Sequence, residues 1–543
     1  MVRKILTLVV VGIGISLGTA TAQEVDARAA IQASIKAMGA DQLKTVEFSG
    51  AGTTSLIGQQ YSTDISWPTI EVANYTRAID YDAKWSREDY VQRQGNFPTF
   101  GRDPMRDTPT TAIVSGTYAW DVRNGMPVPF TRMYLDGTPY NELRQLELAI
   151  TPHGFLKAAA AAPATALKAI KIQYVGASDF GLSQFGRTVT LVSFPYLGKY
   201  KIVGTINDQN LVELVDTSIA SPFYGDMNYE MRYTQYRDFN GIKFPMLFHT
   251  HQGDPRLNVA HNYYEYKLTT VKMNVPVQTM PVPDIVKTTM LPQPKVVSEA
   301  LAPGVWLLGG GSHNSLLIEF KDYVAVVEAP NNEARSLAVI AEVNRLAPGK
   351  QIKYVVNTHQ HFDHSGGLRT YLSMGTTIVT HESNKQYYLD ILFHPTPRTV
   401  DPDRFSAFNP MYWISRRPAP FETVAGETRG TAKYALTDGE RIAEVYHVQD
   451  MSYELGDNSL ARGHHAADML MVYLPKEKIL FNADLYSPPA PGSPAPAPNA
   501  AARTLQANIV KLKLDVQKHV PAHGRVGTGA EFNAMFAGAT KTQ

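Results

Sequence analysis

The chain has 543 residues, 51 Lys and Arg against 50 Asp and Glu, and no cysteine. A balanced charge without a basic block or an aromatic–basic stripe excludes nucleic acid as a partner. The absence of cysteine excludes disulfides, so stability must come from packed cores.

Residues 1–22 read as a secretory signal. Arg3 and Lys4 form a charged start, and Ile5 to Leu17 form an apolar core of thirteen residues, too short to span a membrane. Ala20-Thr21-Ala22 supplies an A-x-A cleavage site with Gln23 as the new first residue. No cysteine follows that could carry a lipid anchor. Without this segment 49 basic side chains face 50 acidic ones, a net charge of −1. No later stretch reaches about eighteen apolar residues. The expectation is an exported protein, periplasmic or secreted, without stable membrane insertion after cleavage.

Residues 23–275 read as a β-rich domain. It opens on an Ala-rich helix over Asp26–Ala37, followed by Tyr- and Thr-rich alternating runs such as Arg187–Val192 and Lys201–Ile206, the period-2 signature of strands. One helix is expected around Asn141–Ala161, ended by Pro163. Asn240-Gly241 between Tyr236–Phe239 and Ile242–Phe244 predicts a hairpin with a type I′ turn. The aromatic strand content suggests a large, curved antiparallel sheet, similar in pattern to periplasmic lipid- or lipoprotein-carrier half-barrels. His249 and His251 are alternate residues on one strand face. Their spacing suits a metal, but no third ligand stands near, and they read as an exposed face.

Residues 276–295 carry a proline every few positions, which opposes helix and ladder alike, and read as a linker. Residues 296–543 then alternate strands with helices. Gly309–His313 is a Gly-rich turn, with His313 a loop histidine near the rim, before the strand Ser315–Glu319. A strand over Asp322–Val327 ends at Glu328, and Glu333–Leu346 has the apolar spacing of a helix packed between strands. The strand Lys353–Val356 leads into Thr358-His359-Gln360-His361-Phe362-Asp363-His364, with a helix expected from about Gly366. Imidazole and carboxylate together suit zinc or a similar first-row metal. His359 and His361, two apart in an extended loop, point the same way and can grip one ion. Asp363 and His364 are offset and can serve a second.

This run resembles the H-x-H-x-D-H signature of the metallo-β-lactamase superfamily, whose fold is an αββα sandwich with a two-metal site at one edge of its sheets. The resemblance implies three further ligands. A histidine three residues before an aspartate and ten before a strand-ending proline selects His465, with Asp468 and Pro475 as landmarks; the adjacent His464 reads as a loop histidine. An aspartate at the end of the next strand selects Asp484, implied to bridge the two metals. Aspartate rather than cysteine at this position makes the site resemble the glyoxalase II type. A late histidine before a glycine selects His523, while His519 reads as a helix-end residue. The implied site holds one ion on His359, His361 and His465 and the other on Asp363, His364 and His523, with Asp484 shared. Glu328 stands where the family commonly has an aspartate and is expected to support the loop rather than ligate.

The resemblance thus implies an α+β chain: a metallo-β-lactamase sandwich preceded by a β-rich antiparallel accessory domain. It implies an enzyme with two zinc ions, although the same ligands also accept iron or manganese. Its activity would be hydrolysis of an ester, lactone, thioester or amide-type bond in a small-molecule substrate by metal-bound hydroxide, with Asp363 orienting the hydroxide and carrying its proton. The alternatives are a class B-like β-lactamase, an iron-dependent redox enzyme of the sulfur dioxygenase kind, and a lipid carrier. The proline-rich run Ser487–Pro498 and the aromatic insertion Leu392–Phe421 are candidates for pocket walls.

Overall fold

The protein is described by a computed structural model covering residues 6–7, 21–95, 97, 105–173, 187–253, 262–392, 398–408, 420–425, 433–451 and 464–537. Most of the proposed signal segment lies outside the described residues, as do Phe393, Tyr412 and Trp413 of the aromatic insertion. No helix among the described residues is long and apolar enough to cross a membrane.

The N-terminal half is one large antiparallel sheet. Its central strands run in the order 168–173, 188–196, 200–206, 212–221, 225–234, 247–253, 262–273, 45–55, 69–80 and 85–93. Along Gly225–Thr234 side chains alternate between buried and half-buried, as a sheet with one face on a core requires. That core is aromatic, with Phe48, Phe244 and Phe248 packed ring against ring at 5.4–6.0 Å. Helix Ala27–Met38 begins where Asp26 accepts from the Ala29 N–H and ends at Gly39 in a left-handed conformation, a capped start and stop. The hairpin forms as its turn residues dictate: Phe239 pairs with Ile242, and Asn240 and Gly241 both have positive φ.

The single helix expected over 141–161 is instead two, Tyr140–Ala149 and Pro152–Ala161. Pro152 cannot donate to the ladder and disfavours a helical conformation at Thr151. Thr151 becomes the cap of the second helix, accepting from the Gly154 N–H. The proline-rich stretch also departs from expectation. It contains a short helix, Asp284–Thr288, whose Val286 packs with Trp85, Ile113 and Trp120. Pro283 precedes that helix, where a missing N–H costs nothing.

The C-terminal half is an αββα sandwich. One sheet runs in chain order through 297–302, 305–309, 315–319, 323–327, 351–356, 377–381 and 421–424; the other through 433–437, 442–447, 470–474, 479–483, 518–521 and 527–528. Ala325 and Val327 of the first sheet share an apolar core with Val472 and Phe481 of the second. The helix Glu333–Leu346 forms where its spacing predicts, capped by Asn332. The helix after the histidine run starts earlier than expected, at Phe362. Asp363 and His364 therefore sit in its first turn rather than in an extended loop.

The two halves share an apolar cluster that includes Phe48 of the first and Val324 and Phe362 of the second. The loop 56–61, between the strands 45–55 and 69–80, carries much of this contact. Phe362 stacks on Phe223 with centroids 4.0 Å apart, and its N–H donates to the Gly58 carbonyl at 3.2 Å. A Cβ on Gly58 would meet the Phe362 ring at 2.2 Å, and its φ is +71°. Only glycine fits there.

Candidate metal centre

The site is built at the ends of strands, where carbonyl and side-chain directions change together. Strand 323–327 delivers Glu328, strand 351–356 delivers the loop to His364, strand 479–483 delivers Asp484, and strand 518–521 delivers His523. Glu328, Ala483 and His465 have φ of 74°, 47° and 100°, a region side-chain-bearing residues rarely adopt, at a cost of about 1–3 kcal/mol each. Three such residues around one point mark a place where the fold imposes conformations that the local sequence would not choose.

All seven residues singled out from the sequence are brought together. His359, His361 and His465 offer one group of mutually close nitrogens, and Asp363, His364 and His523 belong to another. His359 Nε2 lies 3.0 Å from His361 Nδ1. Asp484 touches both groups: its Oδ2 is 3.2 Å from His465 Nε2 and 3.2 Å from His364 Nε2, and its Oδ1 is 3.4 Å from His523 Nε2. His359, His361 and His364 are buried. Water reaches the cluster from the side of Asp363 and His523, whose side chains are 35% and 38% exposed.

The far side of each ring is held. Glu328 is fully buried; its Oε1 accepts from the Thr358 N–H, and its Oε2 is 3.0 Å from His364 Nδ1. With that nitrogen donating to Glu328, the other nitrogen of His364 faces Asp484. Glu328 also forms a candidate donor group with His359 and His364, and its two hydrogen bonds place it to hold the His364 ring. Thr358 Oγ1 sits 3.0 Å from His359 Nδ1, and the Ser312 carbonyl 3.0 Å from His523 Nδ1. Asp468 accepts from the Gln360 N–H and from Asn384. Burial pushes the Asp468 carboxyl up to about 7.

The N-terminal half supplies supports that sequence reading missed. The Gln60 carbonyl is 3.0 Å from His361 Nε2 and accepts from Gln360 Nε2 at 2.7 Å. Gln59 Nε2 donates to Asp363 Oδ1 at 2.8 Å. The Tyr61 carbonyl accepts from the Ala467 N–H at 2.7 Å. No motif marks these residues, because they lie about 300 to 400 positions before the groups they hold.

Several histidines read from the sequence take other places. His313, expected near the rim as a loop residue, is buried inside the cluster, with Nε2 3.3 Å from Asp363 Oδ2 and its ring 4.1 Å from that of His523. Burial, joined by the neighbouring His364 and His523, lowers its pKa. His464 is buried away from the cluster, edge-on to Tyr61 at 6.3 Å, and burial pulls its pKa down to about 4. His519 is not at a helix end but on strand 518–521, between Tyr486 and Phe532. His249 and His251 are half-buried, not fully exposed, and each Nδ1 meets a carboxylate, Glu265 or Glu230. The proline-rich loop lies against the segment after His523, where its Pro489 carbonyl accepts from Arg525.

The electrostatics demand positive charge. The carboxyl groups of Glu328, Asp363 and Asp484 converge here, the first fully buried and the last 11% exposed. Burial opposes protonation of His364, but Asp484, Asp363 and Glu328 outweigh it and drive its pKa well up. Burial likewise opposes ionisation of Asp484, yet the charge of His364 and the close approach of the His364, His465 and His523 imidazoles hold it well below the usual range. His364 Nε2 and Asp484 Oδ1 are buried without a hydrogen bond of good geometry, despite their close approaches. Convergent lone pairs of imidazole and carboxylate, with the opposite ring nitrogens held, fit divalent first-row cations.

Residues 308–523 match the family model of the metallo-beta-lactamase superfamily. The C-terminal half is therefore a metallo-β-lactamase-fold domain with a candidate His/Asp metal site. Solved structures similar to it include the DIM-1 metallo-beta-lactamase, at 18% identity, covering 46% of this chain and 99% of that one with a TM-score of 0.30. A metallo-beta-lactamase from Pontibacter korlensis gives 17%, 46%, 100% and 0.30. The metallo-beta-lactamase FIM-1 from Pseudomonas aeruginosa in its mono-zinc form gives 17%, 46%, 97% and 0.31. No curated protein matches the chain.

Proposed function

We propose that the protein is an exported, dinuclear metal-dependent hydrolase acting on an ester, lactone, thioester or amide-type bond of a small molecule. The observation that carries this reading is Asp484, whose two oxygens lie 3.2–3.4 Å from histidines of both donor groups. His359, His361 and His465 would hold one ion, Asp363, His364 and His523 the other, and Asp484 both. Zinc suits this donor set, and iron or manganese also fits it. Ions bound there would supply a Lewis acid for the scissile carbonyl and a water activated at neutral pH.

The chain's own part is to orient and exclude. Glu328, Thr358, Gln60 and Ser312 fix the rings, and their hold keeps the donor nitrogens turned inward. Burial opposes ionisation of Asp363, but the charge of the neighbouring His364 overcomes it and holds the carboxyl below its ordinary pKa. A carboxylate of that kind stays ionised and accepts hydrogen bonds. Asp363 therefore orients the attacking water and takes its proton only in passing. Aspartate in place of cysteine at position 484 favours this general hydrolase over a class B-like β-lactamase.

The test is a panel of lactone, thioester, β-lactam and phosphodiester substrates with the full-length protein, before and after chelation. Turnover of a carbonyl ester or thioester, lost on chelation, restored by zinc and unaffected by a serine-directed phosphonate, is expected. Stoichiometric labelling of a serine with loss of activity would overturn the mechanism.

A further inference from the structure

His313 is the residue that the seven-donor scheme leaves unexplained. It lies in the Gly-rich turn before strand 315–319, is buried, and shares one donor group with Asp363, His364 and His523. Its Nε2 is 3.3 Å from Asp363 Oδ2. The other oxygen of Asp363 already accepts from Gln59 Nε2, so Oδ2 is the oxygen turned toward the cluster.

A chain of hydrogen bonds offers His313 the tautomer that a ligand needs. Asn331 Nδ2 donates to Asp136 Oδ2 at 3.4 Å, which orients the amide. Its Oδ1 then faces Ser312 Oγ at 3.4 Å. An amide oxygen only accepts, so the Ser312 hydroxyl can donate its proton there and keep its own oxygen free to accept. Ser312 Oγ is also 2.8 Å from His313 Nδ1 and, when its own proton goes to Asn331, accepts from Nδ1–H. Neutral imidazole carries one N–H. In that tautomer Nε2 presents a lone pair toward Asp363 Oδ2, the arrangement a cation between them would need. Two electron-rich atoms aimed at one point are what two ligands of a single cation look like.

We propose that His313 is a further ligand of the ion held by Asp363, His364 and His523, with its tautomer set by Ser312, Asn331 and, from the N-terminal half, Asp136. This rests on the two-ion reading above and extends it. With Asp484 that ion would have five protein donors, His313, Asp363, His364, His523 and Asp484. The His359–His361–His465 ion would have four, counting the same aspartate. Zinc favours four ligands, whereas manganese(II) and iron(II) take six. The two positions would then differ in metal preference, with the His313 side selecting the ion of higher coordination number.

The experiment is titration of the metal-free, full-length protein with Co(II), reading visible absorption and stoichiometry. The wild-type chain should take up two Co(II), one of them with the weak bands of a high coordination number. In His313→Ala the binding of one equivalent should weaken by about tenfold to a hundredfold and its bands should intensify, while the other equivalent binds as before. Ser312→Ala keeps the imidazole but releases its tautomer, and should weaken the same equivalent by less. It also serves if His313→Ala does not fold, since wild-type behaviour of Ser312→Ala would then overturn the proposal. Unchanged spectrum and affinity in a folded His313→Ala would overturn it while leaving the two-ion reading intact. A wild-type chain that takes up fewer than two Co(II) would overturn that reading and this proposal with it.

Discussion

His249 and His251 on the N-terminal sheet bring their Nε2 atoms to 2.7 Å, and His359 and His361 bring Nε2 and Nδ1 to 3.0 Å. Both pairs are His-x-His, and both pairs of rings stand near-perpendicular with centroids 4.5 Å apart. They differ in what surrounds them. The strand pair is half-buried and backed by Glu265 and Glu230. Among the described residues no group of three or more donors includes it. The loop pair is fully buried, is joined by His465, and shares Asp484 with a second donor group. Spacing aligns two imidazoles. A third donor and a shared buried carboxylate, delivered by distant strands, make that alignment a candidate site.

The comparison breaks most sharply by substitution. His359→Ala or His361→Ala should abolish activity and release metal, whereas His249→Ala with His251→Ala should leave the metal content of the fold unchanged. Elemental analysis of the purified variants decides it, and loss of ions from the strand double variant would show the two pairs to be equivalent. The next contrast lies between neighbours. His465→Ala should lose activity and metal, and His464→Ala should keep most of both, because His464 sits against Tyr61 and Asp450 rather than Asp484. The reverse pattern would shift the ligand by one residue.

Smaller effects sharpen the picture. Asp363→Asn should lower kcat by roughly a hundredfold to ten-thousandfold, since it alters a donor and a proton acceptor at once; steady-state kinetics at saturating metal would read it. Smaller still is the pH response of stability. His153 and His519 are buried with pKa values lowered to about 4, against about 6.5 in an unfolded chain. The unfolded state therefore binds protons first as pH falls, and stability contributed by these neutral rings is lost between about pH 6.5 and pH 4. Each contributes on the order of 1–3 kcal/mol. Denaturant unfolding at pH 7 and pH 5 should show the loss, and His519→Phe should make it shallower. A slope unchanged by that substitution would remove His519 from the account.

Much of the site was legible because its chemistry is dense and local. The loop 358–364 holds four donors in seven residues, and His465, Asp484 and His523 each stand beside a landmark, Asp468, a strand end or Gly524. Helices with a capping residue and a clear stop, such as Ala27–Met38, were legible for the same reason. Contacts that join distant segments were not. Gln59, Gln60 and Gly58 belong to a turn without a motif, and their role depends on how the N-terminal sheet meets Phe362. His313 looked like a loop residue because its burial comes from His364 and His523, which arrive from other strands. The break at Ile150–Thr151, by contrast, has a local signal in Pro152.

The most direct measurement of the central claim is metal stoichiometry in the full-length protein purified without chelators, by elemental analysis against protein concentration. Two first-row ions per chain, falling to fewer in Asp484→Ala, is the result the arrangement around Asp484 predicts. One ion or none in the wild-type chain, under conditions where metal is supplied, would contradict it.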